Sequence, residues 1–120
     1  MYEINFYQDK NGREPVKEYI LKLAQKTDKD SRIKLTKIRD YMQILRCNGT
    51  RAGTPYVKHI EGDIWELRPL SNRIFFFAWN GETFILLHCF TKKTQKTPKK
   101  EIEQAKRNMA DFIERSKENE

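Results

Sequence analysis

Cysteine is scarce in this chain: Cys47 and Cys89 are the only two, and neither has a neighbour at metal-ligand spacing. A disulfide framework is therefore excluded, and both are expected to be free thiols in a reducing cytoplasm. No run of about 18 apolar residues occurs, and the opening Met1-Tyr2-Glu3-Ile4 is no basic-then-apolar leader, so neither a membrane span nor secretion is expected. No glycine-rich phosphate loop is present, and His59 and His88 lack a carboxylate or thiol partner at ligand spacing, so no metal site is expected. Acid is also in short supply. Lys and Arg number 24 against 17 Asp and Glu, giving +7 and a pI near 9.5. The excess is patterned: Lys92 to Lys100 holds five lysines and no acid, and Lys22 to Lys58 holds ten basic residues against three acidic ones. That distribution favours a polyanionic partner such as nucleic acid.

What the chain does contain suffices for one packed domain spanning residues 1–120. Seven Phe, five Tyr and two Trp supply apolar surface, so the 34% charged content describes a surface rather than disorder. Glu3 to Tyr7 alternates as a strand does and ends at Asp9, Asn11 and Gly12. Pro15 opens a helix with Val16, Tyr19, Ile20 and Leu23 on one stripe. Asp28 or Asp30 caps a second helix, in which Leu35, Ile38, Met42 and Leu45 repeat at helical spacing and Asn48-Gly49 supplies the stop. After a loop from Thr50 to Pro55, strands are expected over Tyr56 to Ile60, Ile64 to Arg68, Arg73 to Trp79 and Thr83 to Thr91. Glu61-Gly62-Asp63 turns the first into the second, and Asn80-Gly81 makes a type I′ turn between the last two. Thr97-Pro98 starts a closing helix striped by Ile102, Ala105, Met109 and Phe112, with a frayed tail after Arg115. The fold class expected is α+β: an N-terminal strand, a two-helix hairpin, a four-stranded antiparallel meander and a C-terminal helix.

Hairpin counting then aligns the charges. The short connection Pro69 to Asn72 sets Arg68 opposite Arg73. The tight Asn80-Gly81 turn pairs Phe77 with Phe84, Phe75 with Leu86 and Arg73 with His88, so that Arg68, Arg73 and His88 form one row. Glu66, Phe75 and Leu86 form the next, and alternation carries the face through Phe90 to Lys92. Phe75, Phe77 and Phe84 are expected to floor the row with apolar surface. Like charges facing across strands repel, so a basic row calls for an acid or an anion. A phosphate suits the planar fork of arginine. Cleaving RNA without metal needs a base at the 2′-hydroxyl, cations at the phosphorus oxygens and an acid at the leaving 5′ oxygen. Glu66 is the candidate base, Arg68 and Arg73 the charge stabilisers, Lys92 or Lys93 the leaving-group stabiliser, and His88 an alternative acid or base. Lys58, Lys96, Lys34 and Lys37 are candidate RNA contacts.

The segment Trp65-Glu66-Leu67-Arg68, the arginine at Arg73 and the stretch Phe90-Thr91-Lys92-Lys93-Thr94-Gln95-Lys96-Thr97-Pro98 resemble the HigB-like, often phage-derived, branch of the RelE toxin superfamily, and the likeness runs over almost the whole chain. The resemblance implies a RelE-like fold and the toxin of a type II toxin–antitoxin pair. Such a toxin is an endoribonuclease, an mRNA interferase that cuts mRNA in the ribosomal A site without a cofactor and leaves a cyclic phosphate. It also implies a helix-turn-helix antitoxin of the HigA kind as partner, with operator DNA reached only through that antitoxin. The resemblance assigns Arg73 a catalytic part and the pair Lys92-Lys93 an acid or phosphate contact. Which residue moves each proton stays open, since the superfamily's lysine at the place of Glu66 and its tyrosine or histidine near the C-terminus are absent.

Other readings stay beside these. A gyrase-poisoning toxin of the ParE kind and a non-catalytic nucleic-acid-binding module are alternatives, and neither needs Arg68, Arg73 and Lys92-Lys93 on one face for chemistry. His88, between Leu86 and Phe90, is as readily a hydrogen-bonded structural histidine. Lys34 and Lys37 also read as a solvated helix face.

Overall fold

The computed structural model describes residues 1–118. It is α+β, with three helices and one mixed five-stranded sheet. In chain order come β1 (Glu3–Phe6), α1 (Pro15–Gln25), α2 (Lys29–Asn48), a 3₁₀ turn (Gly49–Ala52), β2 (Val57–Glu61), β3 (Ile64–Leu67), β4 (Asn72–Trp79), β5 (Thr83–Thr91) and α3 (Lys99–Glu118). The spatial order of the strands is β1-β5-β4-β3-β2. β1, whose place the sequence leaves open, lies parallel to β5, while β2 to β5 run antiparallel.

Local chemistry explains the helix ends. Pro15 occupies the first turn of α1, where its missing N–H has no intrahelical partner. Of the two candidate caps for α2 it is Asp28 that accepts from Ser31 N, at 2.9 Å. Gly49 closes α2 at φ +62°, and a Cβ there would come within 2.8 Å of the Tyr2 ring, so a larger residue would have to displace that ring as well as take a left-handed conformation. α3 continues to Glu118, past the expected fraying point at Arg115.

The two helical layers cover opposite faces of the sheet. Val16, Leu23, Ile38 and Leu45 from α1 and α2 pack on Leu67, Ile74, Phe76 and Leu86. Ala105, Met109 and Phe112 from α3 pack on Ile64, Phe75, Phe77, Ile85 and Leu87. Burial on both faces is why Ile74–Phe77 and Phe84–Leu87 are unbroken apolar runs instead of alternating ones. Phe75 and Phe76, both 0% exposed, each contribute roughly 2–3 kcal/mol of burial.

The register of β4 on β5 differs from the hairpin count twice. Trp79 pairs with Thr83, so three residues form the loop, and a bulge then inserts Leu87 between Phe76↔Leu86 and Phe75↔His88. Asn80 and Gly81 do take positive φ, 56° and 73°, as a type I′ turn requires. Between turn and bulge the shift is one residue, so Phe84 and Leu86 fall on the α1–α2 face, away from Phe75 and Phe77. Beyond the bulge the shift is two. His88 therefore returns to the expected face but stands opposite Phe75, and Arg73 faces Phe90. The bulge has a dedicated partner: Asn108 of α3, 8% exposed, donates Nδ2–H to Leu87 O at 2.8 Å and accepts at Oδ1 from Gln104.

Candidate active site

Two rows cross the α3 face of the sheet near its β3–β4 turn. The first is Lys58, Glu66, Phe75 and His88, one from each of β2, β3, β4 and β5. The second follows from extending the β3–β4 ladder by one step, which sets Arg68 across from Arg73, with Phe90 beyond. Trp65 and Leu67 take the alternate positions and pack with the α1–α2 layer.

Glu66 is the hub. Its side chain is 1% exposed, with Oε1 at 3.3 Å from Arg68 Nε and 3.7 Å from Arg73 Nε. These are ion-pair distances without hydrogen-bond geometry: both Glu66 oxygens and both Nε atoms are buried and lack a hydrogen-bond partner. Arg73 spends Nη1 on the backbone, donating to Leu70 O at 2.6 Å and Asn72 O at 2.9 Å. Attraction of about 4 kcal/mol per contact at an effective dielectric of 20 is opposed by a desolvation cost of several kcal/mol per ion. The cluster is thus close to neutral for stability, and its cations remain under-satisfied.

The electrostatics follow from that crowding. Desolvation lowers the Arg73 pKa below its ordinary value, with Glu66 opposing and Arg68 adding to the effect. Lys92, just past β5, is lowered too, first by desolvation and then by Arg73, Arg68 and Lys58, while Glu66 pulls the other way. Lys92 also lines a cleft with Arg73, which sets it beside the cluster. Its backbone N–H donates to Ser71 O at 2.7 Å, which ties the segment after β5 to the β3–β4 turn.

Shallow clefts open around these side chains in sequence. Tyr41, Pro55 and Arg68 line the first, and Leu70 and Arg73 are shared with a second that contains Lys92 and Lys93. Lys93 and Thr94 continue into a third beside Phe90, Pro98 and Glu101. Phe90 lines the third cleft, and the fully buried Phe75 packs against it, ring centroids 5.3 Å apart.

A family model described as "Phage derived protein Gp49-like (DUF891)" matches residues 18–110, a span that includes Glu66, Arg68, Arg73, Lys92 and Lys93. The chain belongs to that family. No curated protein matches it.

The other expected site residues of this Gp49-like chain divide by place. His88 is held by α3, with Nε2 at 3.1 Å from Glu101 Oε1 and its ring stacked on Phe90 at 22°. Lys96 is exposed on the loop after β5. Lys34, at 3.3 Å from Asp30, and Lys37 lie on α2, outside the cluster but on the helical stripe that leads by spacing to Tyr41. Cys89 is partly buried, and desolvation pushes its thiol up to about 12, so it is no nucleophile at neutral pH. Among the described residues, no three His, Cys, Asp or Glu side chains are gathered as metal ligands, and no helix is long and apolar enough to cross a membrane.

Sequence reasoning missed Tyr41, Leu70 and Asn108. Tyr41 shares the polar-and-apolar pattern of an ordinary helix stripe, and nothing local says that it meets a cleft. Asn108 inside α3 was the detectable signal, since asparagine is a poor helix former that needs a reason to sit mid-helix.

Proposed function

We propose that this Gp49-like chain is the toxin of a toxin–antitoxin pair and acts as a metal-independent endoribonuclease on mRNA at the ribosome, in the manner of the HigB branch of the RelE superfamily. The observation that carries this reading is the pair Arg68 and Arg73 drawn to one buried carboxylate, with both arginines lining open clefts, one of which Arg73 shares with Lys92 and Lys93. Cations packed closer than their counter-charge satisfies are completed by an anion, and a phosphodiester brings two acceptor oxygens of the right spacing for a guanidinium.

In this reading Arg73 and Arg68 bind the non-bridging oxygens of the scissile phosphate and stabilise the charge that builds there as the 2′ oxygen, its proton passing to solvent water, attacks phosphorus. The P–O5′ bond breaks, a 2′,3′-cyclic phosphate forms, and the leaving oxygen needs a proton. Lys92, which lines a cleft with Arg73 and whose pKa is lowered by desolvation against the pull of Glu66, is the candidate to deliver it. Glu66 takes the part of counter-ion rather than base. At 1% exposure its oxygens lie beneath the guanidinium groups, out of reach of a 2′-hydroxyl. Lys93, Lys58 and Lys96 are assigned to flanking phosphates, and Lys34 and Lys37 to more distant RNA contact. The partner in this reading is a helix-turn-helix antitoxin, which would also supply any operator binding.

The test is direct. Purified protein added to ribosomes programmed with mRNA should release fragments ending in a cyclic phosphate, in the presence of chelator, and Arg73→Ala should remove both the fragments and growth inhibition. Full toxicity of Arg73→Ala would overturn the site. Inhibited DNA gyrase with intact mRNA would replace this reading with a ParE-like one.

A further inference from the structure

The turn joining β3 to β4 contains a residue out of keeping with its backbone. Asn72 N donates to Pro69 O at 3.0 Å, which makes Leu70 the second residue of a tight turn, and its φ is +56°. Glycine, asparagine or aspartate normally fill such a place, because a larger side chain crowds the neighbouring carbonyl. Leu70 is also 47% exposed, so burial of the side chain does not offset the strain. The strained conformation is held from below: Arg73 Nη1 donates to Leu70 O at 2.6 Å, and Lys92 N donates to Ser71 O at 2.7 Å. Both anchors come from residues of the cationic cluster. The side chain itself stands between two clefts, one with Tyr41 and Arg68 and the other with Lys92 and Lys93, while Arg73 lines both.

An apolar side chain presented to solvent between two cationic clefts fits a single strand of RNA that passes from one cleft to the other. Attack of a 2′ oxygen on the adjoining phosphorus requires the leaving 5′ oxygen to lie opposite in line, a geometry that stacked neighbouring nucleotides do not offer. Apolar side chains pushed between bases unstack them. Resting on the ribonuclease reading above, we propose that Leu70 is a positioning residue that wedges between two bases of single-stranded RNA and splays them, so that the phosphate between them meets Arg73. The base turned toward Tyr41 gains a ring to stack on. Strain is retained at Leu70 because a glycine there would relax the turn and remove the wedge.

The test separates wedge from site. An mRNA with 2-aminopurine as stacking reporter and 2′-O-methyl groups to block cleavage is presented free and in programmed ribosomes. Wild-type protein should raise the 2-aminopurine fluorescence. Leu70→Gly and Leu70→Asn, which suit positive φ, should fold with equal or higher thermal stability, bind within about twofold of wild type and leave the fluorescence low. On unmodified mRNA their kcat should fall about tenfold or more with KM little changed, and Leu70→Met should restore it. If Leu70→Gly unstacks and cleaves as wild type does while Arg73→Ala loses cleavage, the wedge is overturned and the site reading stands. If wild-type protein neither binds nor unstacks the RNA in either setting, both fall.

Discussion

Two clusters of arginine and acid stand on the α3 side of this sheet, and they are finished in opposite ways. In one, Asp111 of α3 accepts from Tyr7 Oη at 2.6 Å and from Arg115 at 2.8 and 3.0 Å. Arg115 also donates to Gln8 O and lies 5.8 Å over the Tyr7 ring. Every charge there has a partner, and the shifts agree: the Tyr7 hydrogen bond and Arg115 hold Asp111 below its usual range, the bond to Asp111 raises Arg115, and burial pushes Tyr7 up to about 12. In the other, Glu66 stands among Arg68, Arg73 and Lys92 with its oxygens and both Nε groups unbonded, and desolvation lowers Arg73 and Lys92. The first cluster fastens a helix to an edge strand. The second leaves buried hydrogen-bonding groups unspent while its arginines line open clefts, a contrast that suits the anion site proposed above better than a fastening.

Breaking each cluster should therefore damage different properties. The largest effect is expected for Arg73→Ala, which should lower mRNA cleavage by about 10²–10³-fold in a protein that still folds, at a melting temperature lowered by the loss of the Glu66 pair and of the bonds to Leu70 O and Asn72 O. Glu66→Gln comes next and sharpens the contrast: with the counter-charge gone, the protein should lose about 2 kcal/mol of stability. Added inorganic phosphate should restore more of its melting temperature than it adds to wild type, as thermal denaturation would read. If phosphate helped the two proteins equally, Glu66 would not be holding an anion site in check.

Asp111→Asn should spare cleavage and cost about 1 kcal/mol, near 4 °C in melting temperature. Its pH dependence carries a definite sign. Asp111 has a lowered pKa when folded, so its contribution is complete above the ordinary aspartate range near pH ~4 and is lost as pH falls through the lower folded value. The variant's deficit should therefore shrink toward acid, and a deficit constant down to the lowest pH measured would contradict the assignment. The smallest effect belongs to Lys34→Ala with Lys37→Ala, where RNA affinity should fall modestly and the slope of log affinity against log salt should ease by about 0.7 per lysine that truly meets phosphate. An unchanged slope would return both to the solvated face of α2.

Much of this was legible in the chain because it rests on local rules. The succession of strand, helical hairpin, meander and closing helix follows from periodicity and from Pro15, Asp28, Gly49 and Asn80-Gly81 at their ends. Arg68 facing Arg73 follows from a short connection. The misplacement of His88, Phe84 and Leu86 has one cause, since register accumulates along a hairpin and neither the third loop residue nor the bulge at Leu87 has a local signature. What stabilises that bulge is Asn108, twenty-one residues away, beyond the reach of any window along the sequence.

Composition and spacing by themselves determined that this is a basic α+β domain with arginines across a β-hairpin and lysines after its last strand, because charge count and strand alternation are properties of the chain alone. Only the tertiary structure decided that Glu66 is buried as a counter-ion, that Tyr41 arrives from α2 and that Leu70 is strained into the open. Each of those depends on which elements pack over a residue, and burial, unlike periodicity, is set by neighbours distant in sequence.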